Sequence, residues 1–153
     1  MARRSKSFSA AALLLVTAFA PLQAQRGAAD PERAAARQVV QELGANLQDG
    51  NWARADSLFA PRGLHVLVDT LALHSWAEYR DKHLKPMLAQ FPGAKVAHTA
   101  VEAVVRGSVA WVAFRQEVSG SGSSAPSPRV TRGTAVLEKL NERWTIVHYH
   151  VSR

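Results

Sequence analysis

The chain of 153 residues contains no cysteine, which excludes disulfides, cysteine-ligated zinc, a thiol nucleophile and lipid anchoring at a cysteine. Its one extended apolar run, Ala10 to Ala20, is about half the ~20 residues that a membrane-spanning helix needs, and no later run is longer. Runs of lysine or arginine interleaved with aromatics are missing too, so nothing tracks a phosphate backbone and nucleic acid is not an expected partner. A Gly-rich phosphate loop, a serine nucleophile elbow and an HExxH motif are likewise missing. What is present is ordinary globular composition: 47% hydrophobic and 20% charged residues support a packed core and argue against disorder.

Arg3, Arg4 and Lys6 precede the apolar run with no acid among them, and Pro21-Leu22-Gln23-Ala24-Gln25 follows it. This is the pattern of a secretory signal peptide, so residues 1–24 are expected to be removed on export to a periplasm or the cell exterior. The Arg3-Arg4 pair leaves the general and the twin-arginine routes open. After cleavage no membrane attachment is expected. Residues 25–30 read as a short leader and 31–152 as a single domain, about 129 residues in all, a typical size for one core. Loss of three cations takes 19 Lys plus Arg to 16 against 12 Asp plus Glu, a net charge of +4.

Asp30-Pro31-Glu32 offers an N-cap, a proline at the first helical position and an early acid, so a helix is predicted from there to Asp49-Gly50, with Ala36, Val40, Leu43 and Leu47 as its buried stripe. Asn51 can cap a second helix with Trp52, Ala55, Leu58 and Phe59 inward, stopped by Pro61 and Gly63. Leu64 to Leu73 reads as one strand, with His65, Leu67, Asp69 and Leu71 on one face. Ser75-Trp76-Ala77-Glu78 is a capping box and opens a third helix. Trp76, Tyr79, His83 and Met87 share one side of that helix, and Pro86 is expected to kink it or end it near Lys85.

From Gly93 the apolar period becomes two, predicting strands at 94–106, 108–118, 129–140 and 143–151. Arg106-Gly107-Ser108 and Asn141-Glu142 read as hairpin turns, and Ser119 to Pro128 as a low-complexity loop. Helices first and an antiparallel meander after them imply an α+β fold, a curved sheet around a helix layer. In the last strand Trp144, Ile146, His148 and His150 alternate with Thr145, Val147, Tyr149 and Val151, so both faces carry large groups. One face can serve the interior and the other a partner subunit, so a homodimer through the sheet is expected.

The segment Trp144-Thr-Ile-Val-His-Tyr-His-Val-Ser152, with Ala97 to Val101 and Ala110 to Arg115, resembles the final strands of the nuclear transport factor 2-like superfamily. The likeness is to its SnoaL-like members and to the association domain of calcium/calmodulin-dependent protein kinase II, and it spans about residues 31 to 152. The resemblance implies a cone-shaped fold in which a strongly curved antiparallel sheet and three N-terminal helices enclose one pocket, often dimerised through the sheet. The superfamily hosts isomerases, hydratases, cyclases and oligomerisation modules, so it implies no single reaction.

On that resemblance Arg115 corresponds to a pocket arginine that faces small carboxylates. Read from its own neighbours, it either orients an anionic ligand or forms an internal salt bridge with Glu117, Glu102 or Asp69. Asp69 resembles in placement the general-base aspartate of ketosteroid isomerase-type members, since a carboxylate in an apolar pocket can shuttle a proton. His148 is a second acid/base candidate. His148 and His150, two residues apart on a strand, could hold a metal with His98 or Asp69, or serve as a structural pair in the pocket wall or dimer; the latter is the expectation, with no metal or cofactor. His98 and His150 join Arg115 as ligand-binding candidates. Trp76 and Tyr79 supply pocket walls with polar handles, or simply core. The expected function is an exported dimeric domain whose pocket binds a small molecule, including a carboxylate-bearing one. The alternatives are an acid/base enzyme on a small organic substrate and a purely structural dimerisation module.

Overall fold

Helix α1 (Pro31–Gln48) starts where the Asp30 carboxylate accepts the backbone N–H groups of Glu32 and Arg33, and it buries Ala36, Val40, Leu43 and Leu47 against the sheet. Val40 and Leu43 are fully enclosed, and burial of such side chains stabilises by about 1.5–3 kcal/mol each. A computed structural model describes residues 30–91, 93–121 and 127–153; the expected signal peptide, nearly all of the leader and the centre of the Ser119–Pro128 loop lie outside the described residues. Glu32 also ties α1 to the sheet, since its carboxylate accepts from Lys139 Nζ and from Trp144 Nε1, both at 2.9 Å.

Helix α2 (Trp52–Asp56) is capped by Asn51, whose side chain accepts from the Arg54 N–H at 3.3 Å, and turns Ala55 inward. The segment expected to form one strand forms two, β1 (His65–Val68) and β2 (Leu71–Leu73), which pair antiparallel across a turn at Asp69-Thr70. Asp69 takes φ 50°, a left-handed conformation that Asp tolerates better than the β-branched residues beside it. An aliphatic run read by period alone does not reveal such a reversal.

Helix α3 (Trp76–Tyr79) is capped by Ser75 as expected, and then widens into a π-helical turn (Arg80–Leu84) that runs directly into α4 (Lys85–Leu88). Pro86 therefore does not end the helix. Its missing N–H falls in the first turn of α4, and the preceding Lys85 N–H reaches back to Arg80 O, which absorbs the disruption in one wide turn.

Strands β3 (Lys95–Arg106), β4 (Val109–Ser119), β5 (Arg129–Leu140) and β6 (Arg143–Ser152) form the expected meander to within a residue or two at each end. The six-stranded sheet has the order β2-β1-β6-β5-β4-β3. It is mixed rather than antiparallel throughout, because β1 joins β6 in parallel, with His65 beside His148 and Leu67 beside His150. The β5–β6 turn places both Asn141 and Glu142 at positive φ, 49° and 62°, as a two-residue type I′ hairpin requires.

Two bulges set which side chains face the helices. In β3 the register shifts between Thr99 and Glu102, with Ala100 at φ 48°. In the β5–β6 pair it shifts where Val136 meets His148 and Leu137 meets Ile146, leaving Val147 as the extra residue. Trp144 and Ile146 are buried, but beyond the bulge it is Tyr149 and Val151 that are buried. The expected file Trp144, Ile146, His148, His150 is thus broken in the middle, and both histidines lie on the outer face.

Candidate functional site

Between the π turn with α4 and the open end of the sheet lies a cavity of about 440 Å³. Its inner wall consists of buried side chains: Tyr79 and Leu84 from the helices, Gln116 from β4, Thr131 from β5 and Val151 from β6. Its mouth carries Asp69, Leu71, Lys82, His83, Met87 and Arg129. Tyr79, His83 and Met87, three members of the helical stripe seen in the sequence, all reach it.

Gln116 and Thr131 are opposite one another on adjacent strands and are the two buried polar side chains among the described residues. The Thr131 hydroxyl is enclosed with no hydrogen-bond partner, a condition that costs about 1–3 kcal/mol unless something else supplies the bond. Gln116 Oε1 accepts from Tyr149 Oη at 2.9 Å and lies 3.1 Å from His98 Nε2. Burial is the main cause that pushes the Tyr79 phenol well above its ordinary value, and it does the same to Tyr149, so the inner wall disfavours a negative charge.

The charges at the mouth are paired. Asp69 accepts from Arg129 Nη2 at 3.3 Å and from the Arg153 backbone N–H at 3.4 Å, while its own N–H continues the ladder to Val151 O at 3.0 Å. Lys82 Nζ meets Glu78 at 3.1 Å, and hydrogen bonding to that lysine holds the Glu78 carboxyl below its usual range. Among the described residues no group of three or more His, Asp or Glu side chains is placed to hold a metal, and no helix is long and apolar enough to cross a membrane.

A family profile described as a SnoaL-like domain matches residues 36–153. The chain belongs to this family. Among solved structures, the SnoaL-like domain is 26% identical to a candidate ketosteroid isomerase from Shewanella frigidimarina, over 77% of this chain and 94% of that one, with a TM-score of 0.64. A candidate calcium/calmodulin-dependent protein kinase II association domain from Xanthomonas campestris is 23% identical over 82% and 91% of the two chains, with a TM-score of 0.59. A candidate dehydratase of the nuclear transport factor 2-like family from Streptomyces avermitilis is 16% identical over 80% and 96%, with a TM-score of 0.66. No curated protein matches. These likenesses agree with the α+β architecture, a curved sheet that is not closed.

Several residues singled out in the sequence occupy other places in the SnoaL-like domain. Arg115 is on the outer face, half exposed, 3.9 Å from Glu117 and directly opposite Arg132. The parity of β4 explains this: Ala110, Val112, Phe114, Gln116 and Val118 form the buried file, and Arg115 belongs to the other. Trp76 is core, stacked on Phe59 at 4.1 Å, with Nε1 donating to Asp56 at 2.6 Å. His98 is behind the inner wall rather than in it, and His148 and His150 lie across the sheet from it, so these three cannot converge on one ion. Asp69 and Tyr79 do share the cavity. Gln116, Thr131 and Arg129 escaped the sequence reading; the available signal was that Gln116 is the one polar residue in an otherwise apolar file.

Proposed function

We propose that this SnoaL-like domain is an exported homodimer whose cavity binds a small, uncharged, largely apolar molecule carrying an oxygen that meets Thr131 and Gln116. The observation that carries this reading is the orphaned Thr131 hydroxyl in the inner wall, next to a buried amide. Leu84, Val151, Met87 and Leu71 offer apolar contact along the way in. The carboxylate group expected from Arg115 loses its partner, because Arg115 is on the other face and the cations Arg129 and Lys82 at the mouth already have acidic partners. A structural module without a ligand calls for a collapsed cavity, and the open cavity weighs against it, although Arg115 does pair with Glu117 on the outer face.

The dimer reading is supported by the outer face, where Trp111 is 42% exposed among Val104, Val136, His148 and His150 from neighbouring strands. Export is supported by the pattern of residues 1–24. A second, acid/base reading, an isomerase or dehydratase, rests on Asp69 and Tyr79 lining the same cavity; Asp69→Asn should then abolish turnover and leave ligand retention intact.

The test is native mass spectrometry of the protein purified gently from its own host, followed by denaturation to release what is bound. A dimer beginning at Gln25 and carrying one uncharged organic molecule per chain is expected, with Thr131→Val lowering retention by about tenfold. A charged ligand, or equal retention by Thr131→Val, refutes the assignment of the inner wall. Trp111→Glu should yield monomers in analytical ultracentrifugation, and an unchanged dimer refutes association through this face.

A further inference from the structure

Gln116 is where the cavity wall meets a ring that reaches back to α1. His98 Nδ1 is 2.9 Å from Val40 O, an atom that can only accept, so Nδ1 carries a proton. His98 Nε2 and Tyr149 Oη both address the same end of the Gln116 amide. Two hydrogen-bonding states are open to the ring and the amide. With the amide oxygen at that end, Nε2 must also carry a proton, and the ring is an imidazolium. With the amide turned by half a revolution, its nitrogen donates one hydrogen to Nε2 and one to Tyr149 Oη, the ring is neutral, and the Tyr149 hydroxyl hydrogen gives up its bond to Gln116. The states differ by one proton and by which end of Gln116 is left for the cavity.

We infer that His98 is a positioning residue for Gln116, and that its protonation sets whether the inner wall of the cavity donates to a bound molecule or accepts from it. This rests on the reading of the cavity as a ligand site. The ring itself has no room to turn: it is against Phe114, 4.7 Å between centroids, and a Cβ on Gly44 of α1 would meet its Cγ at 3.0 Å. The charged and titratable groups around it are Arg33 and Arg37 from α1, Glu102 from β3 and Tyr149 from β6, and none of them bonds to the ring. Withdrawal from water thus opposes the imidazolium while the two acceptors favour it, and withdrawal dominates, lowering the pKa. Neutral His98 leaves the Gln116 carbonyl to accept from an alcohol; protonated His98 leaves the amide NH2 to donate to a ketone. The Thr131 hydroxyl can follow either.

The experiment uses protein expressed from the full-length sequence and two uncharged cages of equal size, adamantanone and adamantanol, with binding measured by calorimetry between about pH 8 and about pH 5. The ketone-to-alcohol affinity ratio should rise by about tenfold as the pH falls, and His98→Gln should make it flat. In parallel, NMR of the wild-type side-chain nitrogens should show Nδ1 protonated throughout and the Gln116 amide resonances moving with the titration of His98. A constant ratio while both cages bind, or Gln116 resonances that ignore His98, overturns the inference and leaves the cavity reading standing. Failure of both cages to bind removes the cavity reading for this class of molecule, and the NMR arm alone then decides the coupling of His98 to Gln116.

Discussion

Gly133 faces the interior from the middle of β5, directly opposite Phe114 on β4. A Cβ built there would approach Phe114 Cε1 at 2.7 Å and two further ring atoms more closely still, so Gly133→Ala cannot be accommodated without moving the ring. The ring is held on two sides, by Tyr149 at 5.6 Å and by His98 at 4.7 Å. Forcing a methyl into such a site costs about 1–3 kcal/mol, and loss of either aromatic contact adds about 0.5–1.5 kcal/mol. Against this stands a gain of about 0.4–1 kcal/mol from the stiffer unfolded chain. A net destabilisation of about 1–3 kcal/mol is expected, or a melting temperature lower by about 4–12 °C in a domain of this size. Chemical denaturation followed by tryptophan fluorescence measures it. Adding Phe114→Leu should recover more than about 1 kcal/mol relative to the sum of the separate effects, since the smaller side chain makes room for the methyl. A Gly133→Ala protein within about 0.5 kcal/mol of wild type, or strictly additive effects, refutes the steric argument.

Glu142 at φ 62° occupies a conformation that glycine adopts without penalty, so Glu142→Gly should stabilise the β5–β6 hairpin by about 0.5–1 kcal/mol despite losing the exposed contact to Lys139; a lower denaturation midpoint contradicts this. His98 has its pKa lowered chiefly by burial, and His148 has its pKa lowered by burial and then by His150 and His65. Both therefore bind protons more readily unfolded than folded. Their stability contribution is complete above the unfolded value of about 6.5 and is lost as the pH falls towards the folded values. Urea denaturation between about pH 8 and about pH 5 should show this decline, and a His98→Gln protein a shallower one; stability that rises on acidification contradicts the assignment.

What the sequence determined by itself was local and sequential. Caps at Asp30, Asn51 and Ser75 act on N–H groups two or three residues away, and the Asn141-Glu142 turn closes on its own backbone, so each was legible from neighbouring residues. The order of helices before a four-strand meander followed from the change of apolar period. The motif in the last strand, read as a resemblance, carried the family and its α+β architecture. What required the tertiary structure was facing. A bulge adds one residue and inverts every side chain beyond it, and nothing in the alternation of β6 marks Val147 as the extra one; its pairing with β5 does. The parallel partnership of β1 with β6 and the reversal at Asp69 are long-range choices of the same kind, and they bring Asp69 to Arg129 across 60 positions of sequence. The cavity wall itself, Tyr79, Gln116, Thr131 and Val151, comes from four separate elements, and only their packing shows that a hydroxyl among them has been left without a partner.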